Sequence, residues 1–294
     1  MTSSAGKGEM SPRERVLAAA KGLPTDRVPV MYWLNPHMAA RMIAEYQPAR
    51  NGFWNERAAR VWKQFKEPDP ELAEDIRAAQ PLILSAYANS DYVLELGADM
   101  AQVTFGTLEF WGKIYFEEGR FRVKDAFGSI RAMGGIYLDV IQPAIKDIAD
   151  MKNYTFPDAS DEKHYEGIRR FRAEHPDVCI YTDNFGVQDL PATSIWEMSR
   201  FMMALIDYPD VVKDFQRRLA DWSSEIARRS VEAGADIIMI YDDYGYTGRP
   251  LISMEMWKEF TYPQLKRQVD AIHEMGAPVM LHSCGYQMPF LEHY

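Results

Sequence analysis

The chain has 294 residues, of which 47% are hydrophobic, 26% charged and 13% aromatic, with a formal net charge of −10. That balance suits a soluble globular protein with a large core and argues against a nucleic-acid backbone or an anionic membrane as the main partner. No run approaches the ~20 apolar residues that span a bilayer, the N-terminal stretch lacks the apolar core of a secretory signal, and two cysteines cannot build a disulfide framework, so a reducing, cytoplasmic setting is expected.

Ser11-Pro12-Arg13-Glu14 predicts a helix start, with Ser11 as cap, Pro12 in the first turn and Glu14 completing a capping box. The helix runs through VLAAAKG and stops at Gly22 and Pro24. RVPVMYWL, residues 27–34, has the length and apolarity of a buried strand, and the region from about Pro36 to Gln80 reads as helical. LGADMAQVTFG, 96–106, ends in a second strand. Residues 107–135 alternate in strand fashion, with turns at Glu118-Gly119 and Phe127-Gly128, and read as a β-hairpin excursion from the main pattern.

PDVCIYTDNFG, 176–186, is the next buried strand. Ser194-Ile195-Trp196-Glu197 reads as a capping box, followed by a long amphipathic helix to about Ala233. GADIIMIYDDYG, 234–245, is another strand, Ser253 caps a helix to about Met275, and GAPVMLHSCG, 276–285, is the last strand. Continuous apolar strands alternating with helices predict a parallel sheet covered by helices, either a (β/α) barrel or an open doubly wound sheet. About five such strands are visible in what reads as a single domain over 1–294. No GxGxxG or GxxxxGK[ST] follows a strand, so the usual nucleotide-binding fingerprints are absent.

Polar groups gather just after three strands: Asp183-Asn184, Asp242-Asp243, and His282 with Cys284. The carboxyl ends of parallel strands carry the active sites of both architectures, so an enzyme is expected. His282 and Cys284 stand at i and i+2, which on a strand share a face, and imidazole with thiolate suits Zn²⁺. The same pair also suits a packed strand with a satisfied histidine and a small buried thiol. Asp242 and Asp243 are plausible third ligands, though on a strand they point to opposite faces and they suit helix capping or pairing with Arg249 as well; Cys179 lies before the end of its own strand, at the wrong depth. Asp183 suits an acid, a base or a substrate anchor, or equally an Asx turn. Asn184, Tyr241, Tyr244 and His37 are candidate lining residues of the mouth, while His164, His175, His273 and His293 read as surface.

ERVLAAAKGLPTDRVPV and DIIMIYDDYGYTGRPLISMEMWKEFTYPQLKRQVDAIHEMGAPVMLHSCGY resemble the uroporphyrinogen decarboxylase superfamily, loosely over residues 11–294. The resemblance implies a (β/α)8 TIM-barrel-like fold, here incomplete and C-terminally short. It implies either cofactor-free decarboxylation of uroporphyrinogen, in porphyrin biosynthesis, or methyl transfer with zinc and a corrinoid (cobalamin) protein. In the methyltransferases an H-x-C pair binds zinc and a later cysteine completes the site, which places zinc on His282 and Cys284. The decarboxylases carry an arginine-rich stretch after strand one, where this chain reads MYWLNPHMAARM. The expected function is therefore methyl transfer, with Asp183, Asp242 and Asp243 as catalytic candidates and a small molecule as substrate. Decarboxylation by a strand-end carboxylate such as Asp183, or a non-catalytic accessory barrel, are the alternatives. A homo-oligomer is one way to cover an open sheet edge.

Overall fold

The computed structural model describes residues 9–32, 93–94, 96–133 and 138–294. The helical region expected from Pro36 to Gln80 and the candidate His37 lie outside the described residues.

Helix α1, Pro12–Ala20, opens as expected: the Ser11 hydroxyl accepts from the Glu14 amide at 3.2 Å and the Glu14 carboxylate accepts from the Ser11 amide at 2.9 Å. The segment expected to be the first strand forms none over 27–32. Its backbone is bound to one aspartate instead. The Val30 amide donates to the Asp99 carboxylate at 2.7 Å, and the Val30 carbonyl accepts from the Asp99 amide at 2.8 Å. Arg15, 2% exposed, and Arg27 also grip Asp99, which fixes the carboxylate where it takes the Val30 amide that a neighbouring strand would have used.

Four parallel strands form the central sheet in the order β1 (Met100–Gln102), β6 (Cys179–Phe185), β7 (Ile237–Tyr241) and β10 (Val279–His282). Sequential neighbours in space are the strand order of a barrel wall. Side chains two apart share a face. One face packs Met100, Cys179, Tyr181, Ile237 and Met239 with Met280, and Val16 and Leu17 of α1 join them. The other face carries Ile180, Ile238 and Ile240 against the covering helices.

Between β1 and β6 come α2 (Leu108–Trp111), then β2 (Lys113–Glu117), β3 (Arg120–Lys124), β4 (Ile130–Met133) and β5 (Leu138–Gln142). The four strands make an antiparallel sheet in sequence order, so the excursion is larger than a hairpin. Glu118 and Gly119 both have positive φ, 50° and 73°, which matches a two-residue type I′ turn. Helices α3 (Ile148–Asn153) and α4 (Glu166–Glu174) lead into β6.

After β6 the chain makes a π-helical turn over Leu190–Ile195, then α5 (Met198–Asp207) and α6 (Pro209–Ala233). The capping box expected at Ser194 does not form. The Ser194 carbonyl instead accepts from Ser129 Oγ at 2.8 Å, the Ile195 carbonyl accepts from the Ile145 amide at 2.8 Å, and α5 starts after Glu197. The single long helix is also interrupted: Tyr208, at φ −140° and ψ 51°, leaves helical geometry before Pro209, as the proline ring demands of its predecessor. β8 (Gly245–Tyr246) and β9 (Arg249–Pro250) form a short ladder after β7. Ser253 then caps α7 (Met254–Met256), which continues through a π turn at Trp257–Thr261 into α8 (Tyr262–Glu274). Phe215, Leu219 and Ile226 of α6, with Leu265 and Ile272 of α8, seal the outer face of the sheet. Each such buried side chain contributes about 1.5–3 kcal/mol. Among the described residues no helix is long and apolar enough to cross a membrane.

Candidate metal centre

The ends of β7 and β10 meet where the sequence placed its ionisable groups. Tyr241 and His282 are direct register partners, and their rings stand 5.5 Å apart. Past the strand ends, His282 Nε2 lies 3.4 Å from Cys284 Sγ and 3.9 Å from Asp243 Oδ1. Asp243 Oδ1 also accepts from the Cys284 amide at 2.6 Å. One ligand atom from each of the three residues lies within 4.8 Å of the others. Zinc–nitrogen, zinc–oxygen and zinc–sulfur bonds at tetrahedral angles place ligand atoms about 3.4–3.6 Å apart. The donor set, one N, one S and one O, and its spacing therefore fit a zinc ion with small adjustments. His282 and Asp243 are partly open to solvent and Cys284 is exposed, so a ligand has access. Burial and the nearby Asp243 carboxylate push the Cys284 thiol up, a cost that a bound cation reverses.

Two glycines bring these residues together. A Cβ on Gly245 would lie 2.3 Å from the Tyr286 nitrogen and 2.8 Å from the Cys284 carbonyl oxygen, and one on Gly285 would lie 2.3 Å from the Gly245 carbonyl. The two strand extensions thus touch backbone to backbone, joined by Gly245 N–H to the Cys284 carbonyl at 3.2 Å and Tyr286 N–H to the Tyr246 carbonyl at 3.1 Å. Gly285 adds a φ of 79°. The glycines of DDYG and HSCG are what let Asp243 reach the Cys284 amide.

The two adjacent aspartates separate, as side chains one apart on a strand should. Asp243 faces the cluster and Asp242 is fully buried behind it. Asp242 accepts from the amides of Val187, Gln188 and Asp189 at 3.2, 3.0 and 2.6 Å and from the Tyr244 hydroxyl at 2.7 Å. Burial pushes its carboxyl up to about 7 against the pull of those donors. The structure thus puts Asp242, a catalytic candidate, in the post that holds the loop after β6, and Tyr244, a candidate lining residue, in the core at 0% exposure. Asn184 is likewise buried at 1% exposure, its side-chain oxygen accepting from the Phe185 amide. Neither Asn184 nor Tyr244 lines the mouth.

Asp183 does. Its carboxylate accepts from Gln102 Nε2 and, at 3.3 Å, from Thr104 Oγ1, and burial pushes it up to about 6 against those bonds and one from Tyr241. Sequence reasoning missed Asp189, whose carboxyl is raised to about 6 by burial and by repulsion from Asp243. It follows β6 by four residues, and its rank as another strand-end acid was the signal. Cys179 is fully buried on the sheet face that α1 covers, away from the cluster, as its depth in the strand predicts. Of the histidines read as surface, only His273 is exposed: His164, His175 and His293 are half-buried, with the His164 Nδ1 accepting from the Thr107 amide at 3.3 Å and the His175 and His293 rings packed 4.5 Å from Phe171 and 5.4 Å from Tyr262.

The uroporphyrinogen decarboxylase (URO-D) family model matches residues 128–294. A methyltransferase from Methanosarcina mazei is similar in structure, with a TM-score of 0.57 and 19% sequence identity over 97% of this chain and 73% of that one. That likeness shows the fold, a TIM-barrel-like α/β architecture whose parallel wall is open among the described residues. No curated protein sequence matches the chain.

Proposed function

The chain belongs to the uroporphyrinogen decarboxylase family, and from that premise we propose that it is a zinc-dependent methyltransferase acting with a corrinoid protein or a methylated small molecule. The observation that carries this reading is the convergence of Asp243, His282 and Cys284 at the ends of β7 and β10. The fold shared with a Methanosarcina mazei methyltransferase supports it.

His282, Cys284 and Asp243 would hold the metal, leaving a position for substrate. Bound there, zinc would supply Lewis acidity and would lower the pKa of a coordinated substrate thiol. The protein's own part is orientation. Asp243 fixes Cys284 through its amide, and Tyr241 packs beside the His282 ring. The loop held by Asp242 places Asp189 next to Asp243. In the reaction the substrate thiol loses its proton to solvent, a sulfur–carbon bond forms to the methyl group, and the bond from that methyl to its donor breaks with the electron pair left on the donor.

A decarboxylase for a tetrapyrrole needs cations to hold many carboxylates. Among the described residues the strand-end groups here are mainly acids, Asp183, Asp189 and Asp243, with Arg131 near Asp189, which weighs for methyl transfer. The test is to incubate zinc-loaded protein with methylcobalamin and a panel of small thiols. Thioether formation that Cys284→Ser abolishes is expected. Conversion of uroporphyrinogen to coproporphyrinogen, with no thioether formed, would establish the decarboxylase reading instead.

A further inference from the structure

The covering helices differ in what they show to solvent. α6 and α8 expose no large apolar side chain, and their outer faces carry ion pairs such as Arg217 with Asp214, Arg217 with Asp221 and Lys266 with Asp270. α5 is built otherwise. Its Met198, Met203 and Ile206 are 42%, 56% and 66% exposed, and Met202 beside them is half-buried. Phe201, Ala204 and Leu205 on the opposite side are buried in the core, so the helix is anchored and its outward face is fixed. Single apolar residues scattered over a surface are ordinary, but a run of them on one helix face marks an interaction site.

The charges on that face point to its occupant. Met198, Met202 and Ile206 stand at i, i+4 and i+8 and form an apolar stripe, while Arg200, Met203 and Asp207 at i, i+3 and i+7 form the stripe beside it. Arg200 and Asp207 lie at equal distances on either side of the point between Met203 and Ala204. Two copies of α5 packed antiparallel about a two-fold axis beside that point bring their apolar stripes together. The same symmetry sets Arg200 of each chain against Asp207 of the other. Arg200 is held in place for this by its own chain: Nε lies 3.2 Å from Glu197 Oε2, and Nη1 donates to the Lys146 carbonyl at 2.8 Å. Methionine side chains adapt their shape to an opposing surface. A net charge of −10 disfavours an anionic membrane as the occupant.

We propose that the exposed face of α5 is a self-association surface, through which two copies of this chain pair as a two-fold dimer with Arg200 of each bonded to Asp207 of the other. The helix has 10 residues and is ~15 Å long. It covers only part of the ~800 Å² that a stable interface buries on each partner, so the dimer is a weak one, of about micromolar affinity. The face contains none of the metal ligands, and the proposal does not depend on the methyl-transfer reading.

The test is sedimentation velocity of the purified chain from about 1 to about 200 µM, a range that spans micromolar association. The unaltered chain is expected to pass from monomer to dimer across it. Met203→Asp combined with Ile206→Asp should weaken the dimer about tenfold or more, because it buries unpaired charge in the seam. Arg200→Asp and Asp207→Arg, each alone, should weaken it about fivefold, because each sets like charges together. An equimolar mixture of those two single variants should recover the dimer, and so should the chain carrying both changes, since either arrangement restores two opposite-charge pairs. A monomer at every concentration would overturn the proposal, whatever other molecule binds the face. So would a dimer that withstands the double aspartate substitution, or charge swaps that show no recovery. The first result is read on the unaltered chain, so a variant that fails to fold leaves it decisive.

Discussion

Replacing Gly245 with alanine separates the two strand extensions on which the metal cluster depends. Its Cβ would stand 2.3 Å from the Tyr286 nitrogen, 2.7 Å from the Gly285 carbonyl carbon and 2.8 Å from the Cys284 oxygen, where ordinary contact begins at 3.4 Å. All three neighbours are backbone, so relief requires the β10 extension to move by about 1 Å, and overpacking of this kind costs about 1–3 kcal/mol. Metal sites tolerate ligand displacements of about 0.2 Å, and Asp243 and Cys284 lie on opposite sides of the forced gap. Zinc affinity should fall by about 10–100-fold, the loss seen when the supports of metal ligands are removed. Competition with a chromophoric chelator gives the affinity and urea unfolding gives the stability. Gly167→Ala in α4, with open space around the added carbon, should change neither downward. A Gly245→Ala protein that binds zinc within twofold of the unaltered chain, at an unchanged urea midpoint, would refute the reasoning.

The paired aspartates should behave oppositely. Asp243→Ala should abolish zinc binding and leave the urea midpoint nearly unchanged, whereas Asp242→Ala should cost about 3 kcal/mol or more, because it strands three backbone donors in the core. The Asp183 carboxyl lies at about 6 in the folded chain against 3.8 in the reference state, so the folded protein keeps this proton over a range where the unfolded chain has lost it. The contribution is therefore complete below about pH 4 and declines as pH rises through 6, by up to about 3 kcal/mol. Urea midpoints for the unaltered chain and Asp183→Asn should diverge between pH 4 and 7; parallel curves would exclude the shift. Trp257 is fully buried, with ring centroids of Phe290, Tyr262 and Tyr244 at 4.9, 5.1 and 5.6 Å. Trp257→Ala should cost about 3–5 kcal/mol in the same assay.

The strand ends were legible because continuous apolar runs stopped at ionisable residues, and three such runs are parallel neighbours in the sheet. The H-x-C pair was legible for the same reason. The choice between Asp242 and Asp243 was not. It depends on the course of the chain after β7, which is set by the contact of Gly245 with Gly285, 40 residues apart. The break at Tyr208 was readable in Tyr-Pro but was masked by apolar periodicity running across it. The run at 27–34 looked like a strand by composition alone. Over its described residues the outcome turned on Asp99, a side chain far along the chain that takes the Val30 amide. The capping box at Ser194 lost to a similar long-range competitor, Ser129 and Arg131 at the start of β4, which donate to its carbonyl. Local patterns located the cluster, and partners distant in sequence decided which of the two neighbouring aspartates joins it.

Zinc content and X-ray absorption of the purified, zinc-loaded chain test the central claim most directly. The account predicts close to one zinc per chain, with one sulfur at about 2.3 Å and nitrogen or oxygen ligands at about 2.0–2.2 Å, and loss of the metal in both Cys284→Ser and Asp243→Ala. A chain that takes up no zinc under excess metal, or that binds it in a shell without sulfur, would contradict it.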